Sequence, residues 1–265
     1  MKHTFVIPAY KNSGFLEECI QSLQKQTVPS SIIIATSTPS DFLTGIAKKY
    51  NIEIRDNDRA GGIAEDWNFA YRICQTEYLT LAHQDDVYLP GYTEKCLHSA
   101  TKKGNSDVLL VFTDYRIINE TLSKGSSLII LIKKILLLPF LIKRRYSNRV
   151  MKRGILLFGN PVSCPTVMFN TKNIGPFEFS RDYRYNLDWE AWLRLSDYRG
   201  KFIYINRKLQ LHRIHSESQT ISQISDNNRA KEEEMIFGLI WKKPFARMIF
   251  SLYRYAAKLN VNALD

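Results

Sequence analysis

The apolar residues of this chain follow two rhythms that alternate through its first half. Short apolar runs occupy residues 4–7, 31–35, 52–54, 78–82 and 108–113. Runs of that length, bounded by turn-forming residues, predict strands rather than helices. The first stops at Pro8, which cannot donate to a ladder. The second carries three consecutive isoleucines and reads as a strand buried on both faces. Between the runs the spacing turns helical. Phe15, Leu16, Cys19, Ile20 and Leu23 share one face of a helix over residues 13–24, with Ser13 as its N-cap. Residues 42–50 read as a second helix. Gly61-Gly62 opens a third that runs to about Cys74, and Pro90-Gly91 precedes a fourth over residues 92–103. Alternating strands and helices predict an α/β fold with a mostly parallel central sheet covered on both faces. Ligands of such sheets bind beyond the carboxyl ends of the strands, where Tyr10, Ser37 and Asp85 fall.

The second half is less regular. Residues 128–142 are strongly apolar but broken by Lys133, Lys134 and Pro139. Residues 166–169 and 202–205 read as strands and residues 188–196 as a helix. From Asp226 onward the chain turns helical and basic. The expected organisation is an α/β domain over residues 1–225, with an apolar and basic insertion at 123–150, followed by a helical basic extension over 226–265.

Composition narrows the class. With 265 residues, 45% of them hydrophobic, the chain can bury a full core. A formal net charge of +11 favours an anionic partner: a nucleoside diphosphate, a nucleic acid or an acidic membrane leaflet. Cys19, Cys74, Cys96 and Cys164 form no C-x-x-C pair, a scatter that fits a reducing cytoplasm. The N-terminus enters a strand-like run at once, so no signal peptide is expected.

The densest chemistry lies at His83-Gln84-Asp85-Asp86. Adjacent carboxylates closing a buried strand are placed to hold a hard divalent cation, which in turn can hold a substrate diphosphate. Asp188 begins a second suggestive stretch far downstream. Together they point to a metal-assisted transferase with a separate base. Asp188 also precedes an apolar-periodic run, so helix N-capping is its plain structural role. No Walker, G-x-S-x-G or H-E-x-x-H motif occurs, and Gly61-Gly62 is not a dinucleotide fingerprint.

Five pieces, in order over residues 4–220, resemble the inverting family 2 glycosyltransferases of the GT-A fold. They are Phe5-Val6-Ile7-Pro8-Ala9-Tyr10 with the following Leu16–Thr27 stretch; Gly61-Gly62-Ile63-Ala64-Glu65-Asp66-Trp67-Asn68; Gln84-Asp85-Asp86-Val87-Tyr88-Leu89-Pro90; Asp188-Trp189-Glu190-Ala191-Trp192; and His212-Arg213-Ile214-His215. The resemblance implies roles. Pro8, Ala9, Tyr10, Ser37, Gly62, Asp66 and Asn68 would bind the donor nucleotide. Asp85 and His215 would hold Mg²⁺ or Mn²⁺. Asp86 and Arg213 would lie at the sugar and diphosphate, and Asp188 would be the general base. Three departures stand out. Ala35-Thr36-Ser37-Thr38 replaces the usual acidic pair after the second strand, His83 replaces the first acid of D-x-D, and Leu187 replaces the acid before Asp188.

The expected function is therefore transfer of a sugar from a nucleotide-diphosphate sugar to a saccharide acceptor, lipid-linked, in surface polysaccharide assembly. The apolar segments suit that setting. Residues 128–142 are too short and too broken to span a bilayer, which needs about 20 apolar residues. On one continuous helix Lys133, Lys134, Arg144 and Arg145 fall on one side, because about eleven residues complete three turns. Near the C-terminus Lys243, Arg247, Arg254 and Lys258 share a face, with Phe245, Met248, Ile249, Leu252 and Ala256 largely opposite. Both segments read as interfacial helices on an anionic membrane surface at the cytoplasmic face of the plasma membrane. The rivals are a nucleotidyltransferase, which lacks a Gly-rich basic loop here, and a nucleic-acid- or nucleotide-binding module without transferase activity. The basic residues lie beside apolar stripes rather than aromatic platforms, so no nucleic acid is expected as partner.

Overall fold

The computed structural model describes residues 1–59, 61–119, 125–214 and 227–262. In chain order the elements of the first half are β1 (His3–Ala9), α1 (Leu16–Gln24), β2 (Ser31–Thr36), α2 (Asp41–Tyr50), β3 (Glu53–Asp56), α3 (Ile63–Ile73), β4 (Tyr78–Leu81), β5 (Val87–Tyr88), α4 (Tyr92–Thr101) and β6 (Val108–Asn119). There follow α5 (Gly125–Leu136), α6 (Leu138–Ile142), β7 (Arg145–Tyr146), α7 (Arg149–Gly154), β8 (Val167–Asn170), α8 (Thr171–Ile174), α9 (Leu187–Asp197), β9 (Lys201–Ile214), α10 (Asn227–Ile240) and α11 (Phe245–Asn262).

The described strands form one nine-stranded sheet in the order β3-β2-β1-β4-β8-β6-β9-β5, with β7 on β9. The β3-β2-β1-β4 half is wholly parallel. β8 turns antiparallel between β4 and β6, and β9 runs parallel to β6. Side-chain alternation along β1 divides the core. Phe5 and Ile7 pack with Leu16, Cys19 and Ile20 of α1 on one face. Val6 packs with Trp67 and Tyr71 of α3 and Trp189 and Trp192 of α9 on the other.

Several expectations shift. β1 does not stop before Pro8 but runs on, pairing Pro8 with Ala35. Val6 accepts from Ala82 on the β4 side, and alternation aims the Pro8 nitrogen the same way, past the end of the β1–β4 ladder. No donor is missed there. α1 starts at Leu16, and Ser13 instead accepts from the Phe15 N–H at 3.3 Å. β6 and β9 extend well past the apolar runs at 108–113 and 202–205. Register shifts around Thr113, Asp114 and Tyr115 carry the pair outward through polar residues, which interrupted the apolar signal.

The segment 125–146 differs most. The helix breaks after Leu136, so Lys133, Lys134, Arg144 and Arg145 do not share one helical face. Lys133 turns inward, its Nζ donating to the Tyr115 hydroxyl at 2.8 Å. Arg145 lies on a strand and donates to Asn105 at 3.0 Å. The C-terminal helices belong to the same core as the sheet. Ile236 and Phe237 are fully buried, with Phe237 edge-on to Trp189 at 5.3 Å. Arg254 faces inward to Glu233 at 3.5 Å, while Lys258 and Ala256 have side chains outside the described residues.

One buried titratable group ties this core to pH. His3 is fully buried, bonded at 2.8 Å to Ser30 and at 3.0 Å to Thr80. Burial lowers its pKa from 6.5 to about 3. The unfolded chain therefore binds a proton that the folded one refuses between those values. Stability should be full above the unfolded pKa and fall as pH drops through that window, at up to about 1.4 kcal/mol per pH unit. Urea unfolding across pH 7 to 4 checks this, and His3→Gln should flatten the slope.

Candidate active site

The site begins where β1, β2 and β4 end. Tyr10, 51% exposed, follows β1. Its backbone N–H donates to Gln84 Oε1 and its carbonyl accepts from Gln84 Nε2, both at 3.1 Å. The Gln84 amide thus pairs with Tyr10 as a strand residue would, joining the end of β1 to the 83–86 turn. Lys11 N–H donates to Thr38 at 2.7 Å and fastens the end of β2. Ala9 is buried and Pro8 half-buried, so of the three residues expected at the base and ribose Tyr10 is the open one.

α3 brings a carboxylate to the same rim. Gly62, at φ +75 with nothing within 4 Å of a Cβ, serves as its N-cap. Asp66 accepts from Asn57 at 3.3 Å and from the Ser37 hydroxyl. Burial raises its pKa against those two bonds. Asn68 lies deeper than the rim. It is fully buried, its Nδ2 donating to the Phe179 carbonyl at 3.0 Å and its Oδ1 accepting the Phe179 N–H at 2.6 Å. With both ends of the amide engaged and the side chain fully buried, it fastens α3 to the 175–186 segment.

The 83–86 turn holds the acidic centre. Asp86 N–H donates back to the His83 carbonyl at 3.1 Å, and the Cys19 thiol donates to the same carbonyl at 3.3 Å. Asp86 is fully buried, and its Oδ1 accepts from the Arg213 N–H and from His212 Nδ1, each at 3.0 Å. Burial alone would lower the His212 pKa, but the charge and hydrogen bond of Asp86 win and hold it above its usual value. Ligand atoms of His83, Asp85 and Asp86 lie within 4.8 Å of one another, the one such cluster among the described residues. Asp86 Oδ2 and His83 Nε2 are buried without a hydrogen-bond partner. An unmatched buried acceptor costs about 1–3 kcal/mol, and a cation in the cluster removes that cost. Oxygen donors with one imidazole suit a hard to borderline divalent ion. Trp67 packs its ring 5.3 Å from that of His83.

Arg213 sits behind this turn. Its guanidinium donates to the Asp85 carbonyl at 3.1 Å and to Glu18 at 2.5 Å, and lies 4.5 Å over the Phe15 ring. It buttresses the turn through Nε and Nη2. His215 lies outside the described residues.

Asp188 enters from the opposite side. The N-cap of α9 is Asn186, so Asp188 occupies the first turn and is not the cap. It accepts the Trp189 N–H at 2.8 Å and a side-chain bond from Asn160. Burial raises its pKa, opposed by the charge of Lys133, these two bonds and His83. Two indole N–H groups fix the helix: Trp189 donates to Leu156 at 3.1 Å and Trp192 to Val162 at 3.0 Å. Three residues of this site escaped the sequence reading as ligands or charges: His83, His212 and Lys133. Lys133 bears on both Asp188 and His212, with the Tyr115 ring 6.0 Å from that of His212.

A parallel sheet extended through an antiparallel strand, with an acidic turn at the strand ends, is the fold of the GT-A glycosyltransferases. TarS of Staphylococcus aureus, in complex with UDP-GlcNAc, superposes with a TM-score of 0.64 over 97% of this chain and 72% of its own, at 13% identity. The Pyrobaculum calidifontis mannosyltransferase in complex with GDP-Man and Mn²⁺ gives a TM-score of 0.63 over 99% and 73%, at 13% identity. The sequence pattern of Glycosyl transferase family 2 matches residues 4–168, more than half the chain, and the chain belongs to that family. An uncharacterized glycosyltransferase of Rickettsia typhi is 25% identical over 255 residues, covering 91% of this chain and 71% of that protein. The poly(ribitol-phosphate) beta-glucosyltransferase of Bacillus spizizenii is 30% identical over 119 residues, 42% of this chain and 19% of that one.

The field on Asp188 has a testable sign. A carboxylate acting as base works when ionised, so rate is retained above its pKa and lost as pH falls through it. Lys133 lowers that pKa. Lys133→Met should move the acid limb of the kcat/KM profile to higher pH, while Lys133→Arg leaves it in place.

Proposed function

We propose that this protein is a metal-dependent, inverting glycosyltransferase. It moves a sugar from a nucleotide-diphosphate sugar to a hydroxyl of a lipid-linked saccharide, in surface polysaccharide assembly on the inner face of the plasma membrane. The observation that carries the reading is Asp188: a half-buried carboxylate of raised pKa, held on its own helix, within the electrostatic reach of the 83–86 turn but on a different element. That is what single displacement needs, a base at the acceptor and a separate anchor for the leaving group.

Tyr10, Ser37, Gly62 and Asp66 line the nucleotide crevice. Asp85 binds the ion, Mg²⁺ or Mn²⁺, with His83 and Asp86 beside it; the imidazole favours Mn²⁺. An ion held there would supply positive charge to offset that of the departing diphosphate. Asp188 takes the proton of the acceptor hydroxyl as that oxygen attacks the anomeric carbon.

The membrane reading rests on exposed apolar side chains. Leu138 is 52% and Ile142 89% exposed; on α11 Phe245, Met248 and Leu252 are 58%, 54% and 63% exposed. α5 packs against α11, and exposed Lys134, Lys143, Lys243 and Arg247 accompany them. No helix among the described residues is long and apolar enough to cross a membrane. An apolar surface edged with cations suits an interface with anionic lipid.

Three measurements test this. A thermal-shift panel of UDP-glucose, UDP-GlcNAc and GDP-mannose should show one ligand that stabilises only with Mn²⁺, and Asp85→Ala should lose that effect. Asp188→Asn should keep donor binding and lose turnover by about a hundredfold or more, and an α-linked donor should give a β-linked product. Retention of configuration overturns the mechanism. The wild type should sediment with anionic vesicles, with weaker retention at high salt, and Leu138→Ser with Ile142→Ser should reduce it.

A further inference from the structure

The turn that leads into the base helix is held by one buried carboxylate from the far end of the chain. Glu232, on α10 and 7% exposed, accepts the backbone N–H groups of Arg184 at 2.7 Å, Tyr185 at 2.9 Å and Asn186 at 3.0 Å. The Asn186 side-chain amide adds a fourth bond at 3.3 Å. Three successive N–H groups converging on one anion form a concave nest of the kind that binds phosphate or carboxylate. Here the anion is part of the protein. The neighbouring Glu233 is instead paired with Arg229 and Arg254.

We propose that Glu232 is the positioning residue of the base. It anchors residues 184–186 and thereby sets where Asp188, two residues further on, presents its carboxylate. The inference rests on the reading of Asp188 as base. Charge-assisted bonds are about twice as strong as neutral ones, and this anion also faces the positive end of α9. The rest of α9 is held independently. Trp189 and Trp192 fix its inner side through the indole bonds, and Arg194 donates to the Glu178 carbonyl at 2.6 Å. Loss of Glu232 therefore frees the first turn while the helix stays in place.

Glu232→Gln keeps the size of the side chain but presents an amide with one acceptor oxygen to three donors. Hydrogen–deuterium exchange of the amides at 184–186 should rise at least tenfold in this variant, with exchange in β1 and β4 unchanged. Turnover of UDP-glucose, UDP-GlcNAc or GDP-mannose, whichever the wild type uses, should fall at least tenfold, with donor KM within twofold. Ile236→Ala, which removes a fully buried side chain from the same helix and leaves the Glu232 carboxylate intact, should lower thermal stability and leave the exchange at 184–186 in place. Wild-type exchange at 184–186 in Glu232→Gln overturns the proposal. So does undiminished turnover despite faster exchange, or an equal loss of turnover in Ile236→Ala. Retained turnover in Asp188→Asn overturns the base itself, and the exchange arm still decides whether Glu232 holds the turn.

Discussion

The site is organised by a carboxylate that water never reaches. Asp86 is fully buried, and a buried charge must be met by donors or a cation. His212 and the Arg213 N–H meet one oxygen, which draws β9 against the turn that follows β4. These strands are not neighbours in the sheet; β8 and β6 lie between them. β5, which follows the turn, pairs with β9 through Val87–Leu211 and Tyr88–Gln210, and the Asp86 side chain carries that contact one step further, onto His212 and Arg213. The second oxygen is buried without a hydrogen-bond partner, in the same cluster as His83 and Asp85, so the residue that builds the turn also has an acceptor to offer a cation.

A neighbouring wall is built from polar residues of α3. Glu65, 4% exposed, meets Arg181, Arg72 and Arg59. Burial raises its pKa, but hydrogen bonds and charge from Arg181 and Arg72 prevail and lower it. Tyr71 donates to the Gly175 carbonyl at 3.1 Å, and Asn68 clasps Phe179. α3 therefore holds the 175–186 segment from one side as Glu232 holds its end from the other. Motif residues that look like ligand contacts can be spent inside the protein, as Asn68 shows.

The parallel half of the sheet was legible because β1, β2 and β4 are largely apolar on both faces and the helices between them carry one clean stripe. The 83–86 turn was legible because adjacent acids at a strand end have few structural uses. Other parts lay beyond a local reading. β6 and β9 lengthen through Asp114, Tyr115 and His212, residues with no apolar periodicity, and only pairing with each other explains them. On an unbroken helix Lys133 reads as one of a row of membrane-facing cations; the helix breaks after Leu136, and Lys133 instead bonds Tyr115 of β6. Glu232 lies 44 residues past Asp188 in an otherwise ordinary charged helix, and its role exists only once the turn at 184–186 faces it.

Trp67 has a consequence beyond packing. Its indole lies against His83, at the edge of the acidic cluster, whereas Trp189 and Trp192 are sealed in the core. Indole emission responds to a nearby imidazolium and to paramagnetic ions. The chain therefore carries an intrinsic optical reporter beside the turn, readable in the unlabelled protein as the difference from a Trp67→Phe variant, which keeps Trp189, Trp192 and Trp241.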